Sequence, residues 1–374
     1  MSSLSSDLTS AAPLDVPATG VLRRTLRDHA GFTAWVFGYI LLGSIIAISV
    51  GKPEFIRPDL YIRKLFLLLA IWLGAFAFFY PVCIAIFVHP KELFRYMAND
   101  LKTNYFRRDR LVQGLFVLLL LSFYFAYFTV YKVMIPLVND YTWDPTFAAL
   151  DRLLHGGVDP WRILHVWFGD PASTQLINFF YHLWFILLYA VIFWQAFAMR
   201  NPRLRMQFFL SLVMSWAILG SLMGTLFASG GPCYYDLFVP GDNTFAPLMD
   251  YLYGAAETHR VGALNTQEIL RESFVTGYLT GGQGISAMPS IHVSVSVLFA
   301  ILGWRTHWFL GLVLSAFAVA IFIGSVHLAW HYAVDGYVAM LGTLAVWVVV
   351  GRVLRHPILA APGVAGLVAP AVKP

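Results

Sequence analysis

Charge is the first thing this chain lacks. Asp, Glu, Lys and Arg make up 12% of its 374 residues, against 59% hydrophobic residues and a mean hydropathy of +0.69. Water cannot solvate that much apolar surface, which excludes an ordinary soluble domain. Cysteine is also scarce: Cys83 and Cys233 form neither a disulfide framework nor a zinc spacing, and both read as packing residues. No internal repeat is visible. The ten-residue alternation of a membrane barrel is missing as well, so the apolar runs must be helices, because lipid offers no partner to an open backbone.

Crossing a bilayer takes roughly 20 mostly apolar residues. Eight segments qualify, at about 31–50, 65–89, 111–138, 175–199, 207–229, 287–304, 307–326 and 331–353. The fold class that follows is an all-α integral membrane protein of about eight transmembrane helices. The last three segments are short or carry histidine, so seven or nine spans are also compatible. Arg23, Arg24 and Arg27 ahead of the first segment imitate a signal peptide, but the apolar run is too long and no small-residue cleavage site closes it.

Four regions follow: a disordered cytoplasmic tail over 1–30; two accessory transmembrane helices and a basic loop over 31–110; a six-helix core over 111–356; and a flexible tail over 357–374. The two tails are rich in Ser, Thr, Ala, Pro and Gly.

Lysine and arginine divide unequally between the two sides. Sixteen fall with the N-terminus, loop 90–110, loop 200–206, Arg305 and the C-terminus, and eight with the loops between. The richer side should be cytoplasmic, with both termini on it. The net charge of +5 is this topological signal, so a nucleic-acid partner is not expected.

Polar residues concentrate in the outer loops. Loop 139–174 mixes Asp144, Asp151, Arg152, His155, Asp159 and Arg162 with Trp143 and Trp161, the pattern of an amphipathic helix at the interface or of a lid packed on the bundle. The longer loop, 230–286, opens on Gly230-Gly231-Pro232-Cys233-Tyr234-Tyr235 and closes on Gly281-Gly282-Gln283-Gly284, and loops of that length are functional or disordered.

Immediately after those glycines stands Ser286-Ala287-Met288-Pro289-Ser290-Ile291-His292. Pro289 suits a first helical turn with Ser286 as its cap, which would put Ser290 and His292 where free N–H groups favour an anion. The second polar piece is Ser325-Val326-His327-Leu328-Ala329-Trp330-His331-Tyr332-Ala333-Val334-Asp335. His331 and Asp335 are four apart and would share a helix face, and an ionisable pair at membrane depth points to function.

With Asp335 fixing its tautomer, His331 can attack phosphorus, while His292 protonates the departing oxygen and later activates the acceptor. This chemistry requires no metal and no cofactor. The competing readings are buried histidines satisfied by hydrogen bonds, and a metal row of His327, His331 and Asp335 at i, i+4 and i+8 with His292 as a fourth ligand. Membrane di-iron sites need more histidines than this, and His29, His89, His307 and His356 sit at the opposite ends of the spans.

These two pieces resemble the second and third motifs of the phosphatidic acid phosphatase type 2 superfamily, P-S-G-H and S-R-x5-H-x3-D. Here they stand as Pro289-Ser290-Ile291-His292 and Ser325-Val326-x4-His331-x3-Asp335. The resemblance implies His331 as nucleophile, Asp335 as its orienting partner, His292 as general acid, and Ser290 and Ser325 as phosphate contacts. Val326 stands where the superfamily has a phosphate-binding arginine, and there is no K-x6-R-P first motif.

With its histidine-rich third motif and Gly231-Pro232-Cys233-Tyr234-Tyr235, the chain is similar to the branch containing fungal inositol phosphorylceramide synthase. That likeness implies transfer of a phospho-headgroup such as phosphoinositol from a glycerophospholipid to a ceramide-like or other lipid hydroxyl. The alternative is a lipid phosphate or polyprenyl diphosphate phosphatase with water as acceptor. A transporter or scaffold that keeps the fold without catalysis is disfavoured by the complete His, His and Asp set.

A site short of cations favours a diester monoanion over a monoester dianion. Lys132, Arg260 and Arg271 are candidate compensating cations, and Tyr234 a further substrate contact. The expected partners are membrane lipids. The expected location is a bacterial inner membrane with the site facing the periplasm.

Overall fold

The computed structural model describes residues 18–276 and 284–355. The tails expected before residue 18 and after residue 355, and Gly281, Gly282 and Gln283, lie outside the described residues. All regular structure among the described residues is helical.

The chain opens with α1 (Ala18–Asp28) and α2 (Ala30–Ser49), followed by α3 (Ile62–Cys83) and α4 (Leu93–Asp100). The expectation of a disordered stretch reaching residue 30 is corrected here. Val21, Thr25 and His29 recur at helical spacing and are buried, while Arg23, Arg24 and Arg27 point outward, which makes α1 an amphipathic helix docked on the bundle. The apolar stretch Pro53–Val88, which contains α3, is peripheral: only 6% of its most apolar window is buried.

Helix α5 (Arg108–Val138) runs through the middle, buried along most of its length. Loop 139–174 folds into α6 (Asp144–Leu154) and α7 (Pro160–Phe168), then α8 (Pro171–Ala196) re-enters the bundle. Next, α9 (Pro202–Ser215) continues through a π-helical stretch, Trp216–Met223, into α10 (Gly224–Leu226). Loop 230–286 supplies α11 (Tyr235–Phe238), α12 (Ala246–Ala256) and α13 (Gly262–Thr276), and the chain finishes with α14 (Ile291–Thr306), α15 (Trp308–His327) and α16 (Ala333–Val353).

Among the described residues, seven helical stretches are long and apolar enough to span a membrane, which makes this an integral membrane protein; the eighth expected span, 287–304, is the shorter apolar helix α14. Ala287 and Met288 extend the apolar run in sequence, but the chain is not helical before Ile291. At 16 residues α14 rises only about 24 Å, less than a hydrocarbon core of about 30 Å, so at least one of its ends lies below the headgroups.

Helix α14 packs against α15 and α16, α8 against α15, and α9 against α14 and α16. The α14–α15 hairpin closes through two glycines: a Cβ on Gly303 would stand 2.9 Å from the Gly311 Cα. Chain alternation brings the starts of α8, α14 and α16 and the ends of α5, α10 and α15 to one membrane face. There α6 acts as a lid, with Asp144 and Asp151 buried beneath it and Leu153 exposed above.

A buried arginine joins the first helices to the rest at the opposite face. Arg205 on α9 donates from Nε to the Gln195 carbonyl (2.9 Å) and from Nη2 to the Ala196 carbonyl (3.0 Å), and its Nη1 lies 3.0 Å from His29 Nε2. Arg205→Ala would strand those acceptors in a dry interior, at a cost on the order of 3 kcal/mol. We expect a clear drop in thermal midpoint in detergent, partly restored by Arg205→Lys; an unchanged midpoint would show that this clamp does not hold the N-terminal helices.

Candidate active site

The turn between α15 and α16 carries His331, and it is held from every side. Ala329 takes a left-handed conformation (φ +62°), and the His331 N–H closes back on the Ser325 carbonyl at 2.9 Å. Gln267 on α13 donates to the Leu328 carbonyl (2.8 Å), and the Cys233 N–H to the Ala329 carbonyl (2.9 Å).

Two buried carboxylates on α6 finish the clamp. Asp151 accepts the first N–H groups of α16, from Ala333 (2.7 Å) and Val334 (2.9 Å), where the helix dipole favours a negative charge. Asp144 accepts from the Tyr332 hydroxyl and from the Gly230 and Gly231 N–H groups, each at 2.8 Å. Burial raises the pKa of both carboxyls, and these donors oppose the rise. Gly231 (φ +89°) tolerates no side chain, since a Cβ would meet the Trp330 carbonyl oxygen at 2.5 Å.

His331 and Asp335 meet, but not as neighbours on one helix face. His331 lies ahead of α16, whose N-cap is Tyr332. Asp335, at the third helical position, reaches back so that its Oδ2 accepts the Tyr332 N–H (3.1 Å) and lies 3.2 Å from His331 Nδ1. Donation from Nδ1 to Asp335 leaves Nε2 with its lone pair. Burial pushes the His331 pKa down to about 3; Lys132 acts in the same direction and the Ala287 carbonyl opposes it. The imidazole is therefore neutral at ordinary pH, the form a nucleophile needs.

The other half of the constellation opens α14. Ser290, rather than Ser286, is the cap: its Oγ accepts the Val293 N–H at 3.4 Å, and Pro289 precedes the helix instead of entering it. The Ser290 N–H donates to the Asp335 carbonyl (3.2 Å), which ties the α14 entrance to the first turn of α16. The His292 ring packs against Tyr181 and Trp184 of α8 at centroid distances of 4.8 and 4.2 Å, and the Trp184 indole donates to the His292 carbonyl at 3.1 Å. Among the described residues, His292 Nε2 and the Tyr181 hydroxyl have no hydrogen-bond partner, although both are buried. Lys132 on α5 packs just ahead of the α14 entrance: a Cβ on Gly284 would stand 2.9 Å from the Lys132 Cβ. Lys132 and Lys52 line an adjoining cavity of about 280 Å³.

The remaining expected substrate contacts have other occupations. Ser325 is fully buried and its hydroxyl donates to the Phe322 carbonyl at 2.7 Å. Tyr234 donates to the Gln267 carbonyl at 3.0 Å. Arg271 is committed to Asp236 (2.7 Å) and to the Cys233 carbonyl (3.0 Å), so it braces loop 230–286 rather than presenting a free guanidinium. Arg260 is exposed and has no ion pair among the described residues.

The row of His327, His331 and Asp335 does not form, because the helix ends at His327. That side chain lies instead against Thr174 Oγ1 (2.9 Å) and the His165 ring (4.9 Å). Among the described residues no three His, Cys, Asp or Glu side chains converge as metal ligands.

Sequence reasoning gave Asp144 and Asp151 no individual role, although a signal was there: they stand two helical turns apart on a face otherwise occupied by Phe147 and Ala148. Asp151→Ala would leave two buried N–H groups unpaired at the base of His331, a loss on the order of 3 kcal/mol. We expect turnover to fall with it, measured together with the melting point; full turnover in this variant would show that the α6 carboxylate does not position the histidine.

A family model described as the PAP2 superfamily matches residues 145–350, from α6 through most of α16. No curated protein and no solved structure matches the chain. The serine-to-histidine interval is one residue shorter here than in the superfamily's third motif, so that part of the resemblance rests on His331-x3-Asp335.

Proposed function

Because the chain belongs to the PAP2 superfamily, a group of phosphatases and phosphotransferases, we propose that it is a lipid phosphotransferase that carries a phospho-headgroup on His331. The observation behind this reading is the His331–Asp335 pair at 3.2 Å, with His292 in the first turn of α14, whose capping Ser290 N–H is tied to the Asp335 carbonyl. The donor is a glycerophospholipid such as a phosphoinositide-type diester, and the acceptor a ceramide-like or other lipid hydroxyl. This is the chemistry of the inositol phosphorylceramide synthase branch.

Neutral His292 takes up a proton from solvent as the anionic diester enters beside it; His331 Nε2 then attacks phosphorus, and the bond to the diacylglycerol oxygen breaks as His292 gives that oxygen the proton. Neutral His292 then takes the proton of the acceptor hydroxyl, whose oxygen attacks the phospho-imidazole and frees His331. Asp335 holds the tautomer and steadies the charge that develops on the ring. Ser290 holds the two helix starts together, and the Lys132 ammonium faces the phosphoryl oxygens. Arg260 is a weaker candidate for that task. Neither step calls for a metal.

Two features favour a diester and a lipid acceptor over a monoester and water. Among the described residues Lys132 is the cation that acts on His331, too little positive charge for a monoester dianion. The site wall of Tyr181, Trp184 and Phe185 is aromatic, and His331 is only 7% exposed. With water as acceptor the same residues would make a lipid phosphate or polyprenyl diphosphate phosphatase.

We further propose that α5 belongs with the catalytic helices because it carries Lys132, that α2 and α3 are accessory, and that the histidines face the periplasm of a bacterial inner membrane. The lysine and arginine asymmetry supports that orientation.

Thin-layer analysis of labelled phospholipids incubated with purified protein tests the reading. We expect diacylglycerol and a new phospholipid only when a lipid alcohol is present, none with His331→Ala, and a rate lower by about 10²–10⁴-fold with His292→Ala. Release of inorganic phosphate from a lipid monoester without acceptor would move the assignment to the phosphatase. Turnover abolished by EDTA and restored by zinc would contradict the metal-free route.

A further inference from the structure

Helix α14 links the two membrane faces: His292 stands in its first turn and Arg305 in its last, about 20 Å apart by helical rise. Around Arg305 opens a cavity of about 840 Å³, within the usual range for ligand sites of about 300–1,000 Å³. Three separate stretches wall it: the entry to α5 with Arg107 and Arg110, the α8–α9 connection with Arg200, and the end of α14 with Arg305.

The acidic side chain in its lining is Asp100, already engaged by the Tyr80 hydroxyl and by Asn104 Nδ2. Arg107 forks onto Asp109, and Arg110 lies over the Tyr105 ring. Arg200 and Arg305 have neither an ion pair nor a side-chain hydrogen bond among the described residues, and both are exposed.

We propose that this cavity binds the phosphate of an anionic phospholipid headgroup, at the face of the membrane opposite the histidines. Topology requires only that cations be numerous on one side. It does not require guanidinium groups from three stretches to converge on one concavity, where Arg200 and Arg305 have no carboxylate partner among the described residues and an anion would join them.

Guanidinium forks match phosphate oxygens in pairs. Trp194, 39% exposed on the cavity wall, is the kind of side chain that settles at headgroup depth. Free phosphate offers the same oxygens, but the wall of Trp194, Phe197 and Leu204 suits a lipid glycerol and the start of its chains. The site is independent of the chemistry at His331.

Native mass spectrometry of the full-length protein in neutral detergent tests this, with phosphatidylglycerol as probe and phosphatidylcholine as control. We expect wild type to retain phosphatidylglycerol in preference by on the order of tenfold, the Arg200→Gln/Arg305→Gln double variant to lose that preference, and the corresponding Lys pair to keep part of it. His331→Ala should leave it unchanged.

Inorganic phosphate that raises the melting point of wild type but not of the Gln pair, without lipid preference, would keep the phosphate site and assign it to the free ion. If the Gln pair does not elute as a single species, Arg305→Gln alone is read in the same way. Equal lipid retention by wild type and the Gln variant, with equal phosphate response, overturns the proposal.

Discussion

The structure depends on a short turn that would not keep its shape unaided. Between α15 and α16 the chain must reverse with a left-handed alanine, and it does so because Asp151 holds the first N–H groups of α16 while Asp144 holds Tyr332. Both carboxylates come from α6, itself tied by Asp144 to Gly230 and Gly231. In a dry interior each of these groups would be expensive to leave unpaired, so the turn, the lid and the glycine corner stand or fall together. His331 inherits its position from that network.

The same dryness sets the chemistry. An imidazole this deeply buried is neutral, with its Nδ1 beside Asp335. Scarcity of charge, the first property visible in the composition, reappears at the site as a shortage of phosphate ligands: Arg271 is spent on Asp236, and Val326 replaces an arginine. At the opposite face arginines are plentiful and converge. The two ends of α14 thus stand under contrasting electrostatics, one in an aromatic pocket and the other among guanidinium groups.

Much of this was legible because lipid simplifies the problem. Runs of about 20 apolar residues have no fold but helix available to them. The run at 287–304 misled because Ala287 and Met288 are as apolar as a helix interior, although the chain there is not yet helical. Ser286 and Ser290 look alike as caps in sequence; in the fold the helix starts at Ile291, Ser290 Oγ caps it, and the Ser290 N–H is tied to the Asp335 carbonyl.

The His331–Asp335 interval pointed to the right pair for an incomplete reason, since the contact arises from capping before the helix rather than from a shared helix face. Least legible were the long-range partners. Asp151 meets backbone 182 residues away, and Arg271 finds Asp236 through a fold that no local pattern encodes.

The most direct measurement is to trap the covalent species. Purified protein mixed with headgroup-labelled glycerophospholipid in the absence of acceptor, then quenched and digested, should yield one labelled peptide containing His331, with a bond stable to alkali and labile to acid, and the label should leave when lipid alcohol is added. Label on another residue, or turnover without any labelled protein, would contradict the nucleophilic role of His331.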